Sequence, residues 1–162
     1  MSCAKQQAGT KETQVVEMKI TSSAFAQDSP IPSEFTCDDR NTSPPLMISD
    51  VPPNAKSLAL IMDDPDAPIG TFVHWVAWNI PVNTKQLQKG NEPGGAAGKN
   101  GAGKTGYIGP CPPSGTHRYF FKLYALDTTL NIPDGSNKAE LESAMQGHII
   151  TRAEMMGTYK RK

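Results

Sequence analysis

The chain has 162 residues, and its 16 Lys and Arg balance 16 Asp and Glu, so its formal charge is zero. That balance argues against a general nucleic-acid or anionic-membrane binder, which needs a basic surplus. Fourteen glycines and fourteen prolines leave little room for long helices, and no apolar run approaches the length of a membrane span.

The first fourteen residues, MSCAKQQAGTKETQ, are polar and aperiodic. They read as a flexible tail ahead of a single domain over residues 15–162. The cysteines Cys3, Cys37 and Cys111 are far apart and odd in number. Neither a disulfide framework nor a C-x-x-C metal site is expected, and free thiols point to a reducing compartment, the cytoplasm. A cysteine followed by a polar tether also fits a processed lipoprotein or exported form through Cys3, although no signal core is visible.

Val16, Met18 and Ile20 alternate with Glu17 and Lys19, which predicts a half-buried first strand. Asp28 to Pro45 reads as loop with room for a short strand. The apolar run SLALIM, Ser57 to Met62, predicts a central strand broken by DDPDAPIG. The next strand is TFVHWVAWNIP, Thr71 to Pro81, with His74, Val76 and Trp78 on one face. A long glycine-rich loop covers about Val82 to Thr116, a length that marks function or disorder. HRYFFKLYALD predicts a strand with His117, Tyr119, Phe121 and Leu123 on one face. Asn137 and Glu140 form a capping box for a helix from Lys138 to about Gln146, and HIITRAEMMGTYKR predicts a last strand. The chain is therefore mostly β with one helix, and not a doubly wound parallel sheet.

GKNGAGKT, Gly98 to Thr105, satisfies G-x-x-x-x-G-K-[ST] at every specified position. A phosphate loop needs a buried strand before it and a helix after it. Here KGNEPGGAA precedes it and GYIGPCPPSG follows, and neither can serve. The match is accidental, and the segment reads as a mobile approach to a site elsewhere.

Two clusters can carry chemistry. One is DDPDAP, Asp63 to Pro68, followed by His74. The other is GPCPPSGTHRY, Gly109 to Tyr119. Each sets a proline-fixed turn beside a histidine on a strand, which preorganises polar groups. Two histidines, two acids and a tyrosine suit a small phosphate-bearing ligand. Plainer readings stand beside this: Asp64 and Asp66 as turn formers, His74 as a core histidine, and Arg118 as a structural ion-pair partner. A metal site from the histidines with Asp64 and Asp66 lacks the usual ligand spacings. Cys111 as nucleophile with His117 as base lacks an oxyanion-forming helix start.

Together, DPDAP followed by His74 and Trp75, GYIGPCPPSGTHRYFFKLYALD, TSPPL (Thr42 to Leu46) and GTY (Gly157 to Tyr159) resemble the phosphatidylethanolamine-binding protein family, in its bacterial and archaeal Raf-kinase-inhibitor-like branch. The resemblance runs from about Lys19 to Tyr159. It implies a large antiparallel sheet packed on a smaller one with peripheral helices, and a small surface cavity that takes anions such as phosphate, acetate or a phosphoethanolamine head group. Carried over, the ligand-binding residues are Asp64, Asp66, His74, Cys111 through its backbone, Pro112, His117 and Tyr119, with Arg118 bracing the scaffold. Animal members carry a C-terminal helix that is missing after GTY, and glycine where Cys111 stands. The resemblance also implies a homodimer.

The favoured reading is a binding protein for an anionic small molecule, modulating a kinase or protease partner, with no cofactor. The alternatives are a hydrolase or lyase acting on a phosphate-containing metabolite, or a serine protease inhibitor presenting the loop Pro93 to Gly106.

Overall fold

A computed structural model describes residues 16–162; the expectations for the tail and for Cys3 lie outside them. Nine strands, a single turn of 3-10 helix and one α-helix follow one another along these residues. The organising element is the strand Ser57–Asp64 (β4), in which all eight residues are buried. It pairs antiparallel with Phe72–Ile80 (β5) on one side and His117–Leu126 (β8) on the other. Ile149–Tyr159 (β9) extends the sheet beyond β8. The two-residue strands Ser29–Pro30 (β2) and Ala96–Ala97 (β7) close its two edges. All these pairings are antiparallel except the short parallel ladder of β2 on β9. Lys19–Thr21 (β1), Leu46–Ser49 (β3) and Gln86–Leu87 (β6) form a second, three-stranded sheet.

Because side chains alternate along a strand, the continuous apolar run of β4 must be covered on both sides. Leu58, Leu60 and Met62 join Ile20, Leu46, Ile48 and Leu87 of the small sheet in one core. Ala59 and Ile61 join Leu141 and Met145 of the helix Lys138–Met145 (α1) in a second core. Each fully buried Leu, Ile or Met contributes roughly 1.5–3 kcal/mol of transfer free energy. The predicted capping box is present at α1: the Glu140 amide donates to Asn137 and the Asn137 amide donates to Glu140.

Four expectations change. Val16 is two-thirds exposed and precedes β1 rather than lying in it. His74 does not share a face with Val76 and Trp78. Pairing runs from Met62 opposite Trp75 to Asp63 opposite Val73, which leaves His74 as the extra residue of a β-bulge. Simple alternation fails at such a point, because a bulge turns its side chain out of register. Val76 and Trp78 pack into the helix-side core, whereas the His74 ring meets Phe72 and Tyr119 edge-on.

The third change concerns cysteine. Cys37 and Cys111 form a disulfide across 74 residues of chain, with Cα atoms 5.4 Å apart. The odd count misled, because two of the three cysteines do pair. The argument from free thiols to a reducing compartment falls with it.

GKNGAGKT is a stitched hairpin and not a loose approach. Lys99 and Thr105 bridge, and the Asn100 amide donates to the Lys104 carbonyl. The buried Asn100 side chain accepts from the Ala102 and Lys104 amides and donates to the Gly106 carbonyl. Amides that a phosphate would need are spent on the turn itself, and no helix follows.

Candidate functional site

The two sequence clusters meet at one end of the large sheet. Asp64 ends β4 on the same face as Met62, since the two are separated by one residue. On the neighbouring strand His117 opens β8, two residues before Tyr119, and donates from Nδ1–H to Asp64 Oδ2 at 2.7 Å. The other oxygen, Oδ1, accepts the Asp66 amide at 2.7 Å, which fixes the turn. Asp64 is thus a turn former and a site residue at once, and it is 3% exposed.

His74 arrives from β5 through the bulge. Its Nδ1–H donates to the Ile108 carbonyl at 2.6 Å, and the Ile108 amide donates back to the His74 carbonyl at 3.0 Å. This fixes the tautomer, leaving Nε2 as the free nitrogen. Burial pushes the His74 pKa below its ordinary value, against the opposing pull of the Ile108 carbonyl and of Asp64.

Tyr119 stands two residues after His117 on the same face of β8. Its hydroxyl is fully buried and has no hydrogen-bond partner among the described residues. Burial, reinforced by Asp64 and Asp66, raises its pKa well above the usual phenol value. The hydroxyl therefore keeps its proton and can donate.

These groups line a cavity of about 180 Å³ together with Ala67, Pro68, Phe72, Ile108, Gly109, Cys111, Pro112 and Pro113. Pockets for drug-sized ligands begin near roughly 300 Å³, so this one has room for something smaller. Its walls are mainly apolar, with the polar groups convergent.

The outer wall, residues 107–113, is anchored to the segment 35–41. The Tyr107 hydroxyl donates to the Phe35 carbonyl at 2.6 Å, the Gly109 amide to Asn41 Oδ1 at 2.7 Å, and the Cys37 amide to the Pro110 carbonyl at 3.1 Å. The disulfide adds a covalent tie. A side chain at Gly109 would run into the Phe35 carbonyl and Asn41, so only glycine permits this approach. Sequence reasoning missed Asn41 and Phe72. Nothing in DDRNTSPP singles out Asn41 as a brace, and Phe72 reads as an ordinary strand residue.

Of the seven residues expected to bind ligand, Asp64, His74, Cys111, Pro112, His117 and Tyr119 line the cavity. Asp66 does not. Arg118 Nε donates to Asp66 Oδ2 at 2.9 Å and its terminal nitrogen to Oδ1 at 2.8 Å, and the Arg118 amide adds a third bond. That fork holds the Asp66 pKa down at about 2. Asp66 thus braces the turn with Arg118. Cys111 sits in the lining, but its sulfur is tied in the disulfide and cannot be a nucleophile. Among the described residues no group of three or more His, Cys, Asp or Glu is placed to hold a metal ion.

Comparison with known proteins agrees with this fold. The family model for phosphatidylethanolamine-binding protein matches residues 21–160. A UPF0098 protein from Pyrococcus abyssi is 48% identical over 156 residues, covering 90% of this chain and 87% of its own length. A UPF0098 protein from Methanothermobacter thermautotrophicus is 49% identical over 150 residues, covering 89% and 99%. The crystal structure of a phosphatidylethanolamine-binding protein homologue from Chlamydia trachomatis superposes with a TM-score of 0.87 at 45% identity, covering 90% of this chain and 98% of that one. That of YbcL from E. coli, described as a new member of the mammalian PEBP family, superposes with a TM-score of 0.83 at 31% identity, covering 91% and 100%. With its two packed sheets and a match across nearly all of the described residues, the chain belongs to the phosphatidylethanolamine-binding protein family.

Proposed function

We propose that the cavity binds a small oxyanion, either phosphate or the phosphate of a head group such as phosphoethanolamine. One observation carries this reading: the Tyr119 hydroxyl is buried without a partner in the lining of a cavity that two imidazoles also line. A buried hydroxyl left unpaired costs about 1–3 kcal/mol. An anion oxygen accepting from it recovers that cost. His117, oriented by Asp64, supplies a second polar contact, and His74 a third. The proline-rich wall holds the site open without ligand, so little ordering entropy is lost on binding.

The enzyme reading rests on the Asp64–His117 pair, which has the form of an oriented general base. No activated nucleophile accompanies it among the described residues, since Cys111 is bonded. Binding is therefore the better-supported reading. The protease-inhibitor reading fares worse at Pro93 to Gly106, where the hairpin is turned in upon Asn100. The disulfide supports an oxidising compartment, or a cytosol that retains disulfides, over a reducing cytoplasm.

Calorimetric titration with inorganic phosphate and phosphoethanolamine tests the proposal. Saturable binding is expected, weakened by roughly tenfold or more in His74→Ala and Asp64→Ala through loss of one oriented polar contact. Unchanged affinity in both variants overturns the assignment. Turnover of phosphoesters, abolished by the same substitutions, would favour the enzyme.

A further inference from the structure

Anion sites commonly supply a full positive charge, yet none of the residues lining this cavity is Lys or Arg. The nearest guanidinium, on Arg118, is forked onto Asp66. The charged or titratable side chains around the His74 ring are Asp64 and Asp63 from β4 and His117 and Tyr119 from β8, with the Ile108 carbonyl facing it from the outer wall. Counting Asp64 as a carboxylate, His117 in either form and His74 as neutral, the lining carries a charge of −1 or 0. An anion entering such a cavity must be met by hydrogen bonding and by a proton.

The geometry says where that proton sits. His74 Nδ1–H is spent on the Ile108 carbonyl. The neutral ring therefore offers the ligand only the lone pair of Nε2, which accepts and cannot donate. Tyr119 offers an O–H. His117, with Nδ1–H spent on Asp64, adds Nε2 as an acceptor when the ring is neutral and as a donor when it is protonated. In either form the acceptor at His74 beside the donor at Tyr119 matches an oxyanion that carries its own hydrogen. P–OH donates to His74 Nε2 while P–O⁻ accepts from Tyr119. A fully deprotonated oxyanion sets an oxygen against the Nε2 lone pair, or must wait for His74 to take a proton from water.

We propose that this cavity discriminates among oxyanions by their proton, with His74 as the specificity-determining residue. Inorganic phosphate and phosphate monoesters that retain a P–OH are its ligands. Sulfate and phosphodiesters, the esterified phosphate of an intact phospholipid included, are disfavoured. This rests on the anion-site reading above and names the ligand class for it.

The test compares matched pairs by calorimetry on the wild-type protein. Phosphate is expected to bind more tightly than sulfate, and phosphoethanolamine more tightly than glycerophosphoethanolamine, each by roughly tenfold for one mispaired lone pair. The second pair holds the head group constant and changes only monoester to diester. Affinity for phosphoethanolamine should fall by about tenfold per pH unit above pH about 6, where the monoester loses its last proton. His74→Gln, whose amide can turn either an oxygen or an N–H to the ligand, should bring both ratios close to one. Equal affinities within each pair in the wild type, or ratios that survive His74→Gln, overturn the proton-selection proposal and leave the anion site standing. If none of the four compounds binds, the anion site itself is refuted and this proposal with it.

Discussion

Asp63 and Asp64 are adjacent, both buried, and opposite in role. Alternation along β4 sends Asp63 to the helix side of the sheet, where Lys122 at 3.1 Å and Lys138 at 2.7 Å close on the same oxygen. It sends Asp64 to the other face, where one imidazole meets it beside an open cavity. Cavity size does not tell the two sites apart, because the space around Asp63 is about 190 Å³. Partnership does. The charge of Asp63 is offset by two cations, which is how a buried charge is made structurally tolerable. On the Asp64 face the Tyr119 hydroxyl is buried without a partner, and the proposed anion would be that partner.

The largest expected effect lies on the structural side. Asp63→Ala leaves Lys122 without its carboxylate and Lys138 with Glu142 alone, and should cost about 2–4 kcal/mol in urea unfolding, below the full penalty of a buried pair because both lysines keep some solvent contact. Phosphate affinity of the folded protein should be unchanged. If affinity falls with Asp63, the two faces are coupled and the contrast drawn here is wrong.

Breaking the Cys37–Cys111 bond tests how far the cavity wall depends on its covalent tie. The double variant Cys37→Ser, Cys111→Ser should lose about 2–4 kcal/mol of stability through the freed loop. The bonds from Tyr107 and Gly109 should hold the wall in the folded state, so anion affinity should change by only a few-fold. A much larger loss would make the disulfide part of the binding machinery.

Tyr119→Phe separates stability from function most sharply. Removing a buried hydroxyl with no partner should leave the melting temperature unchanged or raise stability by about 1 kcal/mol. Phosphate affinity should fall roughly tenfold. A variant that loses stability and keeps affinity would show that the hydroxyl has a protein partner and no ligand.

A smaller effect concerns the turn that Asp66 and Arg118 brace. The Asp66 pKa is depressed from 3.8 to about 2. A depressed carboxylate stabilises the fold above its unfolded value, and that contribution disappears as pH falls from about 3.8 towards 2. Asp66→Asn should therefore lower the urea midpoint at pH 5 and above and leave it nearly unchanged at pH 2.5, which flattens this part of the acid limb. Smallest of all is Lys104→Ala, which should alter phosphate affinity by less than about twofold, as befits an exposed point charge.

Much of this contrast was legible in the sequence and part was not. Strand β4 announced itself as a continuous apolar run, α1 as a capping box, and Asp64, His117 and Tyr119 by motif and alternation. The two-sheet architecture came only with the family resemblance, since periodicity shows strands and not their partners. His74 was named, but on the wrong face, because a bulge is a property of pairing between β4 and β5 and leaves no mark on one strand alone. Pairing of Cys37 with Cys111 was hidden by the 74 residues between them and by the odd cysteine in the tail. Asp66 looked equivalent to Asp64 in DPDAP, yet Arg118 claims it across a strand junction that local sequence does not show.

The central claim is that Asp64, His74, His117 and Tyr119 form one anion site. Phosphate titration of the wild type beside Tyr119→Phe and His74→Ala tests it most directly. Saturable wild-type binding that weakens by roughly tenfold in each folded variant is the predicted result. Binding of equal strength in all three proteins, or its absence from the wild type, would contradict it.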